Sequence, residues 1–281
     1  MSAQIVPQSM SRNTDHATRF ERSQSKTSAA PVVLKMNDIT TADLVDSLKK
    51  GVADFSAMPS HAIFLCLIYP VIGLLFGRLA FGYDVLPILF PVIAGFALLG
   101  PLAALGLYEL SRRREQGLDV TWRHAFDVLR SPSIGAIVIL GLVLVAIFTA
   151  WLITAQAIYV ANFGYNAPES LSQFVSDLTE TSAGWNMIIT GNIFGFLFAL
   201  LVFTISVVSF PLLLEHKVGV ATAVVTSIRA VAKNPLTMAI WGLIVAAGLV
   251  LGSLPFFIGL AIVMPIFGHA TWHLYRKVVS S

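Results

Sequence analysis

The stretch Thr222-Ala-Val-Val-Thr226-Ser-Ile-Arg229-Ala-Val-Ala-Lys233-Asn234-Pro235 decides the fold. Thr222, Thr226, Arg229 and Lys233 step by four, three and four, so they share one face of an otherwise apolar α-helix. Asn234 suits a helix cap and Pro235 a first helical turn, so the chain stops and restarts in a new direction. Leu236 to Trp272 then holds 37 residues without a Lys, Arg, Asp or Glu. One membrane helix needs about 20 apolar residues, so the run predicts two. Gly252-Ser253-Leu254-Pro255 supplies the turn between them. Trp272, Tyr275, Arg276 and Lys277 end the unit as an aromatic and basic anchor. The unit reads as surface helix, break, membrane hairpin, basic end.

Composition agrees. Hydrophobic residues make up 56% of the chain and charged ones 12%, against about 25% charged in a soluble domain. Uninterrupted apolar runs near 20 residues exclude a large soluble core. The net charge of +3 does not point to nucleic acid, because the basic residues flank apolar runs and show no binding fold. Cys66 is the only cysteine, so no internal disulfide forms.

Upstream, the same unit occurs twice more. Residues 1–40 read as a disordered, polar tail without an apolar stretch behind its first charges, which is not the pattern of a secretory signal. From Thr41 an amphipathic helix follows, with Leu44, Leu48 and Phe55 on one face, Val45 and Val52 beside them, and Asp43, Ser47, Lys50 and Asp54 on the other. Pro59 breaks it, and spans follow at about 61–77 and 85–108, with kinks expected from Pro87, Pro91 and Pro101. A second amphipathic helix, Thr121 to Arg130, precedes Pro132 and spans at about 134–159 and 187–210. Between those two spans, Leu171, Phe174, Val175 and Leu178 predict a short helix lying on the outer surface. Pro101, Pro211 and Pro265 fall near the end of the second span of each hairpin.

The expected fold is therefore all-α: a polytopic membrane protein with six transmembrane helices in three hairpins, each preceded by an amphipathic interfacial helix. A domain of residues 41–281 carries them. Such six-span topology puts residues 1–60, 109–133, 211–235 and 273–281 on one side, with 17 of the 18 Lys and Arg residues. Basic residues mark the cytoplasmic side, so both termini are expected there, in an inner membrane.

Few residues carry a chemical signal. His269 and His273 lie one helical turn apart and could share a metal or offer a haem ligand, but no acidic residue completes the zinc-protease pattern. Beside Trp272 and Arg276 they read instead as an interfacial pair. Arg78 sits near the outer end of a span, where its side chain reaches the interface. Gln156 and Asn192 share an inferred depth, which suits a helix-to-helix hydrogen bond or a contact to a solute. Three G-x-x-x-G patterns, Gly73/Gly77, Gly191/Gly195 and Gly248/Gly252, suit close internal helix packing. The expected spans hold no Asp or Glu, unlike most proton-coupled carriers. No P-loop, dinucleotide fingerprint or nucleophile elbow is present, so no catalytic residue, cofactor or metal is assigned.

Three stretches carry a family resemblance: Gly100-Pro101 with Gly106-Leu107-Tyr108-Glu109-Leu110-Ser111-Arg112-Arg113, then Ser227-Ile228-Arg229-Ala230 with Asn234-Pro235, then Pro265 through Arg276. Together they resemble the bacterial family called domain of unknown function 2189, integral membrane proteins, over about Leu44 to Lys277. The resemblance implies no established activity. Family members are sometimes labelled cytochrome c oxidase subunit I, a label suited to a twelve-span protein with six His ligands. The functional expectations are a non-enzymatic scaffold or accessory subunit, a small permease for an apolar or neutral solute, or a redox subunit. The expected partners are the lipid bilayer and other membrane-protein subunits.

Overall fold

The computed structural model describes residues 34–58, 86–165, 168–255 and 257–280. By contact the chain falls into two units, residues 1–35 with Ser281 and Met36–Ser280, and every element below belongs to the second. Its helices are α1 (Thr41–Ala57), α2 (Leu86–Phe96), α3 (Leu105–Glu115), α4 (Ile134–Phe163), α5 (Leu171–Glu180), α6 (Ser182–Ser206), α7 (Ser209–Glu215), α8 (Val220–Lys233), α9 (Pro235–Ser253) and α10 (Leu260–Val278).

Four stretches are long and apolar enough to cross a membrane: Leu89–Glu115, Ile134–Phe163, Ser182–Glu215 and Pro235–Ser253. The first expected span, with Arg78, Cys66, Gly73 and Gly77, lies outside the described residues. So does most of the expected tail. Helix α4 has 30 residues and is about 45 Å long at 1.5 Å per residue, more than a bilayer core requires. Many of its outward side chains are apolar, among them Ile139, Leu142 and Ile153, as are Ile193, Phe196 and Leu197 of α6.

Proline interrupts two of these stretches. Between α2 and α3 the chain passes through a 3₁₀ turn, Ala97–Leu99, and a short helical turn, Gly100–Ala103, with Pro101 at its start. Trp151 Nε1 of α4 donates to the Pro91 carbonyl at 2.8 Å, giving the Pro-containing helix a fixed neighbour. The other break separates α6 from α7. There Ser227 of α8 donates to Thr204 O at 2.8 Å and accepts from Val208 N at 3.2 Å. A side chain from another helix satisfies backbone groups that the break frees.

The amphipathic helices lie where the periodicity places them, with two differences. Helix α1 spans Thr41–Ala57 behind a capping box formed by Thr40 and Asp43, and α8 spans Val220–Lys233. The segment Trp122–Arg130 is a 3₁₀ helix and not the expected α-helix. A period of three aligns Ala125 and Val128, which are buried, and Ala125 joins a core cluster with Leu110 and Met58. The second difference is the face that α1 buries. Leu44, Ser47, Gly51 and Asp54 face inward, while Val45 and Val52 stay exposed. The expected water-facing residues Ser47 and Asp54 are thus core residues.

Each amphipathic element packs on a different part of the helical framework. Helix α1 lies on α10, the 3₁₀ helix on α3, and α8 on α6 and α7. Among them, α1 joins elements far apart in sequence. Asn234 strengthens that closure. It stands before Pro235 yet makes no side-chain cap to α9. Its Oδ1 accepts from Ile39 N at 2.9 Å, and its Nδ2 donates to Asn37 O and to Ala230 O. The segment entering α1 is a better use of the amide than its own helix, because Ile39 N would otherwise be buried without an acceptor. Asn37 N in turn donates to Val278 O at 2.8 Å, beside a two-stranded pairing of Met36 with Val279–Ser280.

Candidate functional site

The polar residues of the described structure converge on the last three turns of α10. Trp272, His269, Leu274, Tyr275 and Val278 are all essentially inaccessible there. The expected headgroup anchors, Trp272 and Tyr275, and the histidine His269 are core residues. Three elements enclose them: α1 on one side, α3 on a second and α7 on a third. Small residues permit the approach. A Cβ placed on Gly268 would lie 2.5 Å from Leu107 Cδ1 of α3, and one on Gly51 would lie 2.7 Å from Ala270 Cβ. At Gly51 the nearest atoms include the α10 backbone, so a larger residue would force the helices apart, whereas at Gly268 they belong to the Leu107 side chain.

One side of α10 forms a chain of four side chains. His273 Nε2 lies 2.9 Å from Asp54 Oδ2. The same Asp54 oxygen accepts from Ser111 Oγ at 2.6 Å, and Ser111 Oγ lies 2.7 Å from His269 Nδ1. Arg114 reaches Asp54 Oδ1 at 2.8 Å and the Ala53 carbonyl at 2.8 Å. Proton counting assigns the directions. Asp54 as a carboxylate only accepts, so the Ser111 hydroxyl donates to it. His269 Nδ1–H then donates to Ser111 Oγ. That leaves Nε2 of His269 as a bare lone pair, the one buried side-chain polar atom without a partner among the described residues. Burial raises the Asp54 pKa, but hydrogen bonds from His273 and Ser111 outweigh it and hold the carboxyl below its ordinary value.

The other side of α10 is clamped by two glutamates. Glu115 of α3 accepts from Trp272 Nε1 at 3.0 Å and from Arg276 Nε at 3.3 Å. Glu215 at the end of α7 accepts from Tyr275 Oη and from Arg276. Burial, then Glu215, push the Tyr275 phenol up, so it remains a donor. Lys277 closes the set on Asp46 at 2.8 Å and Asp43 at 3.1 Å. Five carboxylates from three helices therefore hold one helix end.

Chemically, these contacts tie helices together. Asp54, Ser111 and His269 are the residue types of a hydrolase, but Ser111 is fully buried and its hydroxyl is spent on Asp54. Among the described residues no three His, Cys, Asp or Glu side chains converge to hold a metal.

Of the residues singled out in the sequence, the structure brings His269 and His273 into one network and leaves Gln156 and Asn192 exposed. Asn192 Nδ2 bonds back to Ile188 O of its own helix at 2.7 Å. The polar link between α4 and α6 is instead Asn186 to Asn162, at 2.9 Å. Gly248 and Gly252 pack against Phe267, Val263 and Leu260 of α10, and Gly195 packs against Trp151. Asp54, Arg114, Glu115 and Glu215 carried no motif, and Ser111 stood out only within the Gly106 to Arg113 stretch of the resemblance. The available signal was the small and polar spacing Ser47, Gly51, Asp54 on α1, which marks a face for close helix packing.

A family model described as a predicted integral membrane protein (DUF2189) matches residues 89–215. Over those residues the chain is similar to that family. The match covers the first of the three stretches that carry the resemblance, Gly100 to Arg113, while Ser227 to Pro235 and Pro265 to Arg276 lie beyond it. It includes Ser111, Arg114, Glu115 and Glu215, the residues that α3 and α7 direct at α10. No curated protein and no solved structure matches the chain.

Proposed function

We propose that this chain is a non-enzymatic component of an inner membrane, a scaffold or accessory subunit, with six spans in three hairpins and both termini cytoplasmic. The observation that carries the reading is the fate of its charged residues. Those around α10 are spent on that helix end, where five carboxylates meet Trp272, His273, Tyr275, Arg276 and Lys277. A reaction centre or an ion path leaves charged groups facing a cavity. Here they lock helix ends, which suits a rigid platform with apolar outer faces. The permease reading draws less support, since Asn192 is bonded within its own helix.

Two measurements test this. The chain, purified with native lipids and reconstituted alone into vesicles, is expected to leave glycerol and urea permeation unchanged. Accelerated flux that Asn192→Leu abolishes would move the permease reading to first place. A periplasm-active reporter fused after Ser281 should be silent, and one placed at 168–182 should be active. The reverse pattern would overturn the topology.

A further inference from the structure

We propose that Asp54, Ser111, His269 and His273 form a proton-sensitive clasp, which holds α1 on α3 and α10 at neutral pH and releases it in acid through protonation of His269 Nε2. The geometry supplies the argument. The clasp joins three elements that are distant in sequence: Asp54 on α1, Ser111 and Arg114 on α3, His269 and His273 on α10. At its inner end sits an imidazole that is wholly buried and whose Nε2 makes no hydrogen bond among the described residues.

A second proton on that ring would create a cation in the core, beside His273 and Arg114, with only the Asp54 charge and the Leu107 backbone to offset its burial. Asp54, the only carboxylate in the chain of hydrogen bonds, already faces Arg114 from α3 and His273 from α10. It reaches His269 only through the Ser111 hydroxyl. The sign follows. An imidazole in water gains its proton near pH 6.5, and this one is disfavoured from doing so while α1 is docked. The docked state is therefore fully favoured above about pH 6.5 and loses ground as the pH falls below it. Asp54, held low, adds a loss of the same sign only at still lower pH.

The movable partner is α1. Its inward face is small, Ser47, Gly51 and Asp54, with Leu44 the one large fully buried side chain. The membrane segments α4 and α6 carry none of the clasp, so they stay in place when it opens.

Hydrogen exchange of the full chain in lipid nanodiscs tests the clasp, with rates corrected for intrinsic pH dependence. Between pH 7.5 and 5.5 the amides of Leu44–Ala57 should exchange about tenfold faster, while those of Leu140–Ala155 should not change. His269→Gln, which cannot be protonated, should abolish the acceleration. His273→Gln, which keeps an N–H toward Asp54, should retain it. Unchanged protection of α1 in acid would overturn the proposal. So would a response that survives His269→Gln, or one lost only in His273→Gln. Should His269→Gln fail to fold, C2-hydrogen exchange of each histidine in the native chain gives the second reading. His269 must titrate at the pH where α1 opens, and a different midpoint would equally overturn the assignment.

Discussion

Gly51 of α1 lies against Ala270 of α10 so closely that a Cβ on Gly51 would come within 2.7 Å of the Ala270 Cβ and of the Ile266 carbonyl oxygen. This contact sets the distance between the two helices. It therefore also sets whether Asp54, one turn along α1, reaches Ser111 and His273. Backbone carbonyls cannot yield as side chains do, so the helices must part to admit a methyl group.

The first prediction concerns this crossing. Gly51→Ala should destabilise the docked α1 by about 1–3 kcal/mol, the usual cost of overpacking. Gly51→Leu should release the helix altogether. Thermal unfolding in detergent checks the order wild type, alanine, leucine. Equal midpoints for all three would show that α1 does not pack on α10.

Ser111 and Asp54 should differ in what their loss costs. Ser111→Ala removes one donor and leaves His269 Nδ1 unpaired, a loss of about 1–3 kcal/mol. Asp54→Ala leaves His273 and Arg114 without their shared carboxylate, and breaking a buried pair costs about 3–5 kcal/mol. The double variant should lose less than the sum, since both remove the same bond. Strict additivity in unfolding measurements would deny the coupling.

Asn234 is expected to act on the N-terminal segment and not on α9. Asn234→Ala strands Ile39 N and frees Asn37 O, so limited proteolysis should cut residues 36–40 faster. Protection of α9 against hydrogen exchange should be unchanged. Loss of protection confined to α9 would mean that Asn234 caps that helix after all.

The ion pairs of Lys277 should fade in strong acid. Hydrogen bonds from Lys277 and Lys50 hold Asp46 at about 2, below the ordinary value of about 3.9. A depressed carboxyl stabilises the fold above its ordinary pKa and ceases to do so as the pH falls toward the lowered one. The stability gap between wild type and Lys277→Gln should therefore shrink from pH 5 to pH 2. Because Asp46 is solvent-accessible, the gap should also shrink in 1 M salt. A gap insensitive to both would assign Lys277 to packing.

The sequence by itself determined where the chain is apolar, where it breaks and where surface helices begin. Hydropathy and proline act through neighbours in the chain, so the runs around Ile134–Phe163 and Pro235–Ser253 are legible from composition, and Thr40 with Asp43 announces the start of α1. Only the tertiary structure decided which polar residues are core. A helical wheel separates apolar from polar faces on the assumption that the polar face meets water. Asp54 and Ser47 instead meet other helices, with Asp54 paired to Ser111 57 positions away and to His273 219 positions away. Trp272 and Tyr275 look like interface anchors for the same reason, yet Glu115 and Glu215 cover their polar atoms and allow full burial. Hydrogen-bond partners supplied at long range change what burial costs, and no local pattern records who those partners are.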